Sequence, residues 1–451
     1  MKTNNLLHNC KLLIIHCILL ILFSSCARNN PSDEILKIFK YNESAGILTL
    51  DPIYAKDLPH IWACNQIYNG LVAFDDEMNI VPAIAKSWNI SDDGMTYTFI
   101  LRDDVYFHED ECFKSSAVSR QLIANSQQIT TRKVVAQDFV YSFNRVLDRK
   151  LNSSGSWIFA NVKRRQQTTD NRQQTTVETS PLWRLNNQQS EYAFYAVNDT
   201  IFKIELGQPF PAFLGILSMS YASVVPQEAV EYYGTEFGRH PVGTGPFKYQ
   251  YWKEGVKLVF RKNHNYFEKI GEERLPYIDA VSISFIIDKQ VAFMEFVKGK
   301  FDFMSGIDAR YKDELLTRDG QLRQEYEDEI YLVREPYLNT EYLAFFLGDD
   351  DTLGKDRSLA LRQAVSYSID REKMLRYLRN GIGTPGNYGI IPVGLPGSLE
   401  TENLRNLESE NLAASTSIGY PYNPKKAEQL LKENDLLGYE LKLYTTQDYI
   451  D

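Results

Sequence analysis

Two glycines in the stretch His240–Phe247, HPVGTGPF, have the spacing of a loop that could bind a phosphate group. Such loops bind the anion through backbone N–H groups, and they open a helix whose N-terminus faces the ligand. Here Pro246 follows Gly245, no third glycine or Gly-Lys-Ser/Thr follows, and the next residues alternate as in a strand. The pattern therefore predicts a tight turn that leads into a β-hairpin.

The segment FHEDECF, Phe107–Phe113, gathers the side-chain types of a metal site. One imidazole, three carboxylates and one thiol occupy the consecutive positions 108–112. Neighbouring residues on one short segment cannot all point at one ion, so the pattern favours a solvated turn. The chain also has no H-E-x-x-H, C-x-x-C or G-x-S-x-G motif. We therefore predict no catalytic residue, no metal, no cofactor and a protein that is not an enzyme.

The composition limits the possible functions. The chain has 451 residues, of which 43% are apolar, and a formal net charge of −10. This length predicts about three domains, and the apolar content is sufficient for large packed cores. An acidic chain with scattered lysines argues against a nucleic-acid partner, which would favour a basic patch.

The N-terminus has the pattern of an export signal. Lys2 and Lys11 precede the apolar run Leu12–Phe23, which is too short to span a bilayer as a helix. Two serines and Cys26 follow, and this order resembles the lipobox of bacterial lipoproteins, although Phe23 stands where leucine is usual. The resemblance implies cleavage before Cys26, acylation of its thiol and a lipid anchor at the periplasmic or extracellular face of a bacterial membrane. An ordinary secretory signal is the alternative.

Two cysteines remain once the signal and the lipidated residue are set aside. Cys64 and Cys112 are too far apart in sequence to indicate any geometry. An oxidising compartment would allow a disulfide, but two buried thiols fit the sequence equally well. Both alternatives stay open at this point.

Alternating and helical patterns predict the regular elements that position these residues. The segments SWNIS and TYTFILR flank an Asp-Asp-Gly turn, which predicts a β-hairpin. Apolar residues at helical spacing predict a helix between Val135 and Leu147. From about Ile278, strands alternate with helices, the first of them capped by Asp288, which indicates an α/β domain with a parallel or mixed sheet. Two further strands are predicted, YLAFFL at 342–347 and YELKLYTT at 439–446.

One stretch differs from the rest of the chain in composition. Residues Arg165–Thr169 recur as Arg172–Thr176, and the surrounding sequence up to Ser180 is polar and poor in apolar residues. Such a stretch cannot bury enough apolar surface to fold against the rest of the chain. We therefore predict a flexible, exposed insertion.

The glycine turn and many further segments together resemble one family of transport proteins. In order along residues 35–445, these segments are LDPIYA, IYNGLVAFD, IVPAIAKSWNISDDGMTYTFILRDDVYFH, VVAQDFVYSFNRVLD, HPVGTGPFKY, RKNHNYF, LPYIDAVSISFI, FVKGKFDF, LRQAVSYSIDREKM, GIIPVGLPG and YNPKKAEQLL. They are similar to the family-5 solute-binding proteins of ABC importers that take up dipeptides and oligopeptides. Only the segment near 113–133 and the glutamine- and threonine-rich stretch fall outside the resemblance.

The resemblance implies an α/β fold of the class II periplasmic-binding-protein type, with two lobes and a ligand cleft between them. Family members run on beyond the position of Asp451, so the second lobe is expected to be truncated in this chain. The implied divisions are a signal peptide at 1–25, a tether at 26–33, a base lobe at 34–73 and 181–277, an accessory subdomain at 74–180 with the low-complexity insertion at about 150–180, and a second lobe at 278–451.

The resemblance also implies which residues contact a ligand. The extended segment after the LDP motif contributes backbone groups, which makes Lys56, Asp57 and Leu58 candidates. Trp157 and Tyr342 correspond to positions near aromatic ligand contacts of the family. The aspartate that pairs with a peptide's N-terminal ammonium in the peptide binders has no counterpart in this sequence.

The function that follows from the resemblance is binding and delivery. We expect a monomeric, lipid-anchored protein that binds peptides and hands them to an ABC permease in the membrane. One alternative keeps the fold and changes the ligand to a nickel chelate, haem, a sugar oligomer or a signalling peptide. Another is a truncated surface lipoprotein that no longer transports.

Overall fold

The computed structural model describes the chain in two compact units. Unit 1 extends to Met304 and unit 2 begins at Ser305, while the lobe boundary near residue 278 remains a prediction. The signal sequence with Cys26, the tether and residues 166–180 of the low-complexity insertion lie outside the described residues. The predicted exposure of the insertion is wrong for its described part, residues 150–165, where Ile158 and Phe159 pack into the core of unit 1. The described residues are 36–114, 130–165, 191–305, 312–318, 320–334, 338–347, 353–379, 381–386, 389–392, 395 and 419–444.

The regular elements of the described residues are strands, which lie in unit 1, and helices, which occur in both units. The strands are β1 (Ile38–Asn42), β2 (Val72–Phe74), β3 (Ile80–Pro82), β4 (Ala85–Ile90), β5 (Thr96–Leu101), β6 (Phe194–Asn198), β7 (Ile201–Glu205), β8 (Phe247–Lys253), β9 (Lys257–Lys262), β10 (Lys269–Ile270), β11 (Glu273–Arg274) and β12 (Ala280–Ser284). The helices are α1 (Leu58–Ile67), α2 (Ala136–Leu147), α3 (Phe213–Leu217), α4 (Gln227–Tyr233), α5 (Lys289–Val297), α6 (Lys312–Leu315), α7 (Lys355–Ser368), α8 (Arg371–Leu378) and α9 (Pro424–Glu433). Within the described ranges, none of these helices is long and apolar enough to cross a membrane.

The first sheet of unit 1 is mixed, with the strand order β1-β12-β9-β8. β1 runs parallel to β12, and the other neighbours are antiparallel. After β12, α5 begins where predicted, because the Asp288 carboxylate accepts the Val291 N–H at 2.9 Å. The chain then returns to Phe303, which forms a parallel bridge with Tyr41 of β1. This strand–helix–strand crossover confirms the predicted α/β organisation.

The second sheet of unit 1, in the order β4-β5-β7-β6, packs one face against α2. The predicted hairpin is formed by β4 and β5, and the predicted helix is α2. Phe143 of α2 lies at ring-centroid distances of 5.4 Å from Phe194 and 5.6 Å from Phe202. Truncating such a fully buried phenylalanine costs about 3 to 5 kcal/mol. The aromatic layer therefore fixes α2, whose two ends contact other parts of unit 1.

The described residues of unit 2 form helices and irregular segments. α7 packs against α9, and Ala360, Leu361 and Leu436 form a small buried cluster. The predicted strand at 342–347 is not formed, and neither is the described part of the predicted strand at 439–446. Alternation makes a strand only where a neighbouring strand pairs with its backbone. These segments have no such neighbour within the described part of unit 2.

Candidate ligand-binding site

Residues 56–58 form a short link between a 3-10 turn and α1. The turn covers Pro52–Tyr54, and Asp51 caps it by accepting the Ile53 N–H at 3.3 Å. Both the first and the last residue of the link are exposed to solvent. The sequence thus produces a surface segment that is anchored immediately before it begins.

The carboxylate of Asp57 is engaged within the fold. It caps α1 by accepting the backbone N–H of His60 at 3.3 Å, and it also accepts the ring Nδ1–H of His60. The Nε2 atom of His60 accepts the Leu48 N–H at 3.1 Å, which assigns the ring proton to Nδ1. Asp57 therefore stabilises the link with its side chain, and its C=O accepts the Ile61 N–H at 2.9 Å.

The backbone of the link carries unpaired polar groups. Asp57 is extended, with φ −128° and ψ 163°. Among the described residues, the N–H groups of Asp57 and Leu58 have no hydrogen-bond acceptor, and the Lys56 C=O has no donor. Leu58 occupies the first helical position of α1, where an N–H has no partner inside the helix. An extended ligand could pair with these groups as a strand pairs with a sheet edge.

A buried ion pair holds the start of the 3-10 turn. Arg145 of α2 donates to the two Asp51 carboxylate oxygens at 2.8 Å and 2.5 Å. The two side chains are only 8% and 6% exposed. Burial opposes the charge on Arg145, but the hydrogen bonds and charge of Asp51 outweigh it and raise the pKa of the guanidinium. Breaking such a pair by removing one partner typically costs about 3 to 5 kcal/mol.

Two further hydrogen bonds connect the 3-10 turn to the segment after α2. The Tyr54 hydroxyl donates to the Leu151 C=O at 2.7 Å. The buried Ser153 hydroxyl donates to the Ile53 C=O at 2.9 Å and accepts the Gly155 N–H at 3.0 Å. The segment that leads to the link is therefore fixed by side chains at three successive places.

Trp157 lies on the same connection and remains accessible. It belongs to a 3-10 turn at Ser156–Phe159, and 52% of its surface is exposed. The preceding Gly155 packs directly on the ring of Tyr221, since a Cβ atom at position 155 would lie 2.3 Å from that ring. Burial and the charge of Asp57 both raise the pKa of Tyr221. Tyr221 therefore packs against Gly155, two residues before Trp157, and lies close enough to Asp57 to be affected by its charge.

Tyr342 is the one predicted ligand contact that belongs to unit 2. Its side chain is 69% exposed, in an irregular segment rather than on the predicted strand. Within unit 1, hydrogen bonds from Tyr54 to Leu151 and from Ser153 to Ile53 join the turn before Lys56 to the segment before Trp157. Tyr342 stays a prediction for unit 2.

The glycine loop that opened the sequence analysis is a packing feature. It leads into the β8–β9 hairpin, as predicted. A Cβ atom at Gly243 would lie 2.1 Å from the Ile67 carbonyl oxygen, and one at Gly245 would lie 2.5 Å from the Ile67 carbonyl carbon. Only glycine permits this approach to the C-terminal end of α1. The loop therefore packs against α1 and is not a phosphate cradle.

The predicted solvated turn at FHEDECF is wrong for four of its seven residues, because Phe107, His108, Cys112 and Phe113 are buried. His108 donates from Nε2 to the Gly245 C=O at 3.0 Å, and its Nδ1 accepts the Gly243 N–H at 3.3 Å. Burial lowers the pKa of His108 to about 4, so the ring is neutral at physiological pH. In the described ranges, no group of three or more histidine, cysteine, aspartate or glutamate side chains could hold a metal ion.

Cys64 and Cys112 are two buried free thiols, one of the two alternatives that the sequence left open. Cys64 is fully buried in α1, and Cys112 is buried beside Asp110. Both are thiols, and burial raises their pKa values well above the usual range. Deprotonation to the reactive thiolate is therefore suppressed at both positions.

Sequence reasoning missed the residues that fix the link. Arg145 and Asp51 both lie in segments that carry the family resemblance, but their 94-residue separation gives no pattern that predicts a pair. Ser153 and Tyr221 carried no signal, because a serine in a loop and a tyrosine in an apolar stretch are common.

Comparison with known proteins gives the same fold and a family. The chain is 26% identical over 398 residues to the glutathione-binding protein GsiB of Escherichia coli O1:K1 / APEC, covering 88% of this chain and 61% of that protein. Among solved structures it is similar to DppA from Helicobacter pylori in complex with the peptide STSA, at 21% identity and a TM-score of 0.57, covering 88% of this chain and 66% of the other. It is also similar to NikZ from Campylobacter jejuni in complex with Ni(L-His), at 25% identity and a TM-score of 0.58, covering 88% of this chain and 62% of the other.

These relatives are binding proteins rather than enzymes, and the chain spans less than two thirds of the length of the first relative. The family model for bacterial extracellular solute-binding proteins, family 5 Middle, matches residues 79–448. That match covers most of the chain, including the β4-β5-β7-β6 sheet and the glycine turn. The chain therefore belongs to the family-5 bacterial extracellular solute-binding proteins.

Proposed function

We propose that this chain is the binding component of an ABC importer and that it binds a peptide or peptide-like solute along residues 56–58. The observation that carries the proposal is the set of unpaired backbone groups in that exposed link. Backbone pairing gives affinity that does not depend on ligand side chains, which suits a transporter of varied peptides. The ligand would then be delivered to a membrane permease.

The exposed aromatic side chains at Trp157 and Tyr342 are proposed as further ligand contacts. Each presents a large surface to solvent, with exposed fractions of 52% and 69%. Aromatic rings can cover apolar parts of a ligand without fixing its identity.

A panel of ligands tests the proposal. Glutathione, the tetrapeptide STSA and Ni(L-His) represent the ligands named for the relatives. A ligand at 100 times its dissociation constant stabilises a protein by about 2.7 kcal/mol, which is measurable as a rise in melting temperature. We expect at least one of the two peptides to raise the melting temperature. No response to either peptide would contradict peptide binding.

The nickel chelate is the second candidate ligand, because one similar structure binds Ni(L-His). This candidate predicts stabilisation by Ni(L-His) and none by glutathione or STSA. Free Ni²⁺ serves as the control, since binding of the bare ion would indicate a metal site rather than a chelate site. Stabilisation by peptides alone would eliminate it.

We further propose that the protein is anchored to the membrane through lipid on Cys26. The apolar run, the two serines and the cysteine support this step. Replacing Cys26 with serine removes the thiol that would be acylated. The Cys26→Ser protein should appear in the soluble fraction of fractionated cells, whereas the unaltered protein stays with membranes. Membrane retention of Cys26→Ser would contradict the anchor.

A further inference from the structure

We infer that Arg145 is a positioning residue for the ligand link at residues 56–58, an inference that rests on the proposed function. Arg145 does not belong to the link. It acts through Asp51, which it holds with two hydrogen bonds in a buried setting. Its proposed effect is to fix where the unpaired backbone groups point before a ligand arrives.

The first step of the argument is the geometry of Asp51. One carboxylate oxygen receives both the Arg145 guanidinium and the Ile53 N–H. The same side chain therefore meets α2 and caps the 3-10 turn. A bidentate arginine–carboxylate pair constrains orientation as well as distance. Rotation of Asp51 would release the turn from its cap.

The second step is the transmission along the chain. The Asp51 C=O accepts the Tyr54 N–H at 3.1 Å, and the Tyr54 C=O accepts the Lys56 N–H at 2.8 Å. These bonds lead without a gap from the capped turn to the first residue of the link. The cap of α1 at Asp57 fixes the other end. A displacement of Asp51 would therefore change the position of the link.

The third step is the benefit for binding. A segment that is already in its bound conformation loses less conformational entropy when the ligand arrives. The hydrogen bonds of the link run to Tyr54 on one side and to His60 and Ile61 on the other, so its order depends on these neighbours. Loss of the ion pair should therefore weaken ligand binding by more than a general loss of stability would.

Unit 1 offers a matched control at the opposite end of α2. Arg132 donates to Asp138 at 2.7 Å and to Glu228 at 2.6 Å, and its side chain is 21% exposed. Within the described residues, this arginine has no hydrogen bond to residues 51–58. A variant at Arg132 therefore removes an arginine that also forms bidentate ion pairs, without touching the link.

The experiment compares Arg145→Gln with Arg132→Gln. Hydrogen exchange, measured without ligand, should become faster in residues 47–61 for Arg145→Gln and should stay unchanged there for Arg132→Gln. Affinity for the better of glutathione and STSA should fall by about tenfold or more in Arg145→Gln and by less than about twofold in Arg132→Gln. Arg145→Lys should recover part of the affinity, because the charge remains while the bidentate geometry is lost.

A second variant covers the case in which Arg145→Gln does not fold. The double change Asp51→Asn with Arg145→Gln leaves no unpaired buried charge, and asparagine can still cap the turn. It should show the same faster exchange and weaker binding. Unchanged exchange in residues 47–61 would overturn the inference, and so would equal losses of affinity in the two arginine variants. If the unaltered protein binds neither peptide, the proposed function fails, while the exchange comparison still decides whether Arg145 orders the link.

Discussion

Helix α2 is held at its two ends by two arginine ion pairs that contact different parts of unit 1. Arg145, in the last turn, pairs with Asp51 just before the ligand link and is buried. Arg132, just before the first turn, is partly buried and pairs with Asp138 of the same helix and with Glu228 of α4. The ion-pair chemistry is the same, but among the described residues the Arg132 side chain has no hydrogen bond to residues 51–58.

This difference shows that the role of a charged side chain in the fold depends on which segment its ion pair holds. Both clusters are expensive to break, because each would leave a carboxylate unpaired in a dry setting. Stability alone would therefore not distinguish them. The distinction lies in ligand affinity, which should respond at the Arg145 end and not at the Arg132 end.

The Arg132 end should also carry a pH dependence that the ligand link does not share. His108 belongs to this end, since the neighbouring Phe107 N–H donates to the Arg132 C=O at 3.0 Å. Burial lowers the pKa of His108 to about 4. As the pH falls below about 6.5, the usual histidine pKa, the ring is protonated in the unfolded chain but stays neutral in the folded chain. The contribution of His108 to the free energy of unfolding is fully present above about pH 6.5 and is lost progressively toward pH 4. At pH 5 the free energy of unfolding is lower by about 2 kcal/mol for this reason.

His108→Gln tests this dependence by removing the titrating ring. The free energy of unfolding should fall by about 2 kcal/mol less between pH 7 and pH 5 in this variant than in the unaltered protein. Denaturant titrations at the two pH values give the difference, from which the shared carboxylate effects cancel. An equal fall in both proteins would mean that His108 is not buried as a neutral ring.

Two buried serines should differ in the same way, with a smaller effect on ligand affinity. Ser153 donates to Ile53 beside the link, whereas Ser142 of α2 donates to Asp138 and accepts the Val225 N–H at 2.9 Å. Each serine-to-alanine change should lower the free energy of unfolding by about 1 kcal/mol. Only Ser153→Ala should also weaken ligand binding, by about threefold, as measured by titration calorimetry. Equal affinities in the two variants would remove Ser153 from the positioning contacts.

Much of the fold of unit 1 could be predicted because its signals are local. Turn residues between alternating segments predicted the β4–β5 and β8–β9 hairpins, and helical spacing predicted α2. The predicted strands of unit 2 failed for a non-local reason. The alternating segment at 342–347 is a strand only if another strand pairs with it, and sequence alone does not state which neighbour is present.

The resemblance predicted where the candidate site lies, and this position stays a prediction; the contacts that hold it were not predicted. The resemblance identified Lys56, Asp57 and Leu58, and the structure shows unpaired backbone groups there. It could not show that the Asp57 carboxylate is occupied by His60. Contacts between residues far apart in sequence, such as Arg145 with Asp51, depend on the assembled fold and leave no local pattern.

The central claim is that the backbone of the link binds the ligand, and Leu58 permits a direct test. Leu58 is the first residue of α1, a position that favours proline, and the extended Asp57 before it is compatible with a following proline. Leu58→Pro therefore deletes an N–H that the fold does not use. Leu58→Ala is the control, because it removes the side chain and keeps the N–H.

The decisive measurement is the dissociation constant of the two Leu58 variants for the better of glutathione and STSA. We predict that Leu58→Pro binds at least about tenfold more weakly than Leu58→Ala, since a ligand acceptor would lose its donor. Leu58→Ala should bind within about threefold of the unaltered protein, because a single exposed side chain contributes little. Equal dissociation constants for the proline and alanine variants would contradict binding through the backbone of residues 56–58.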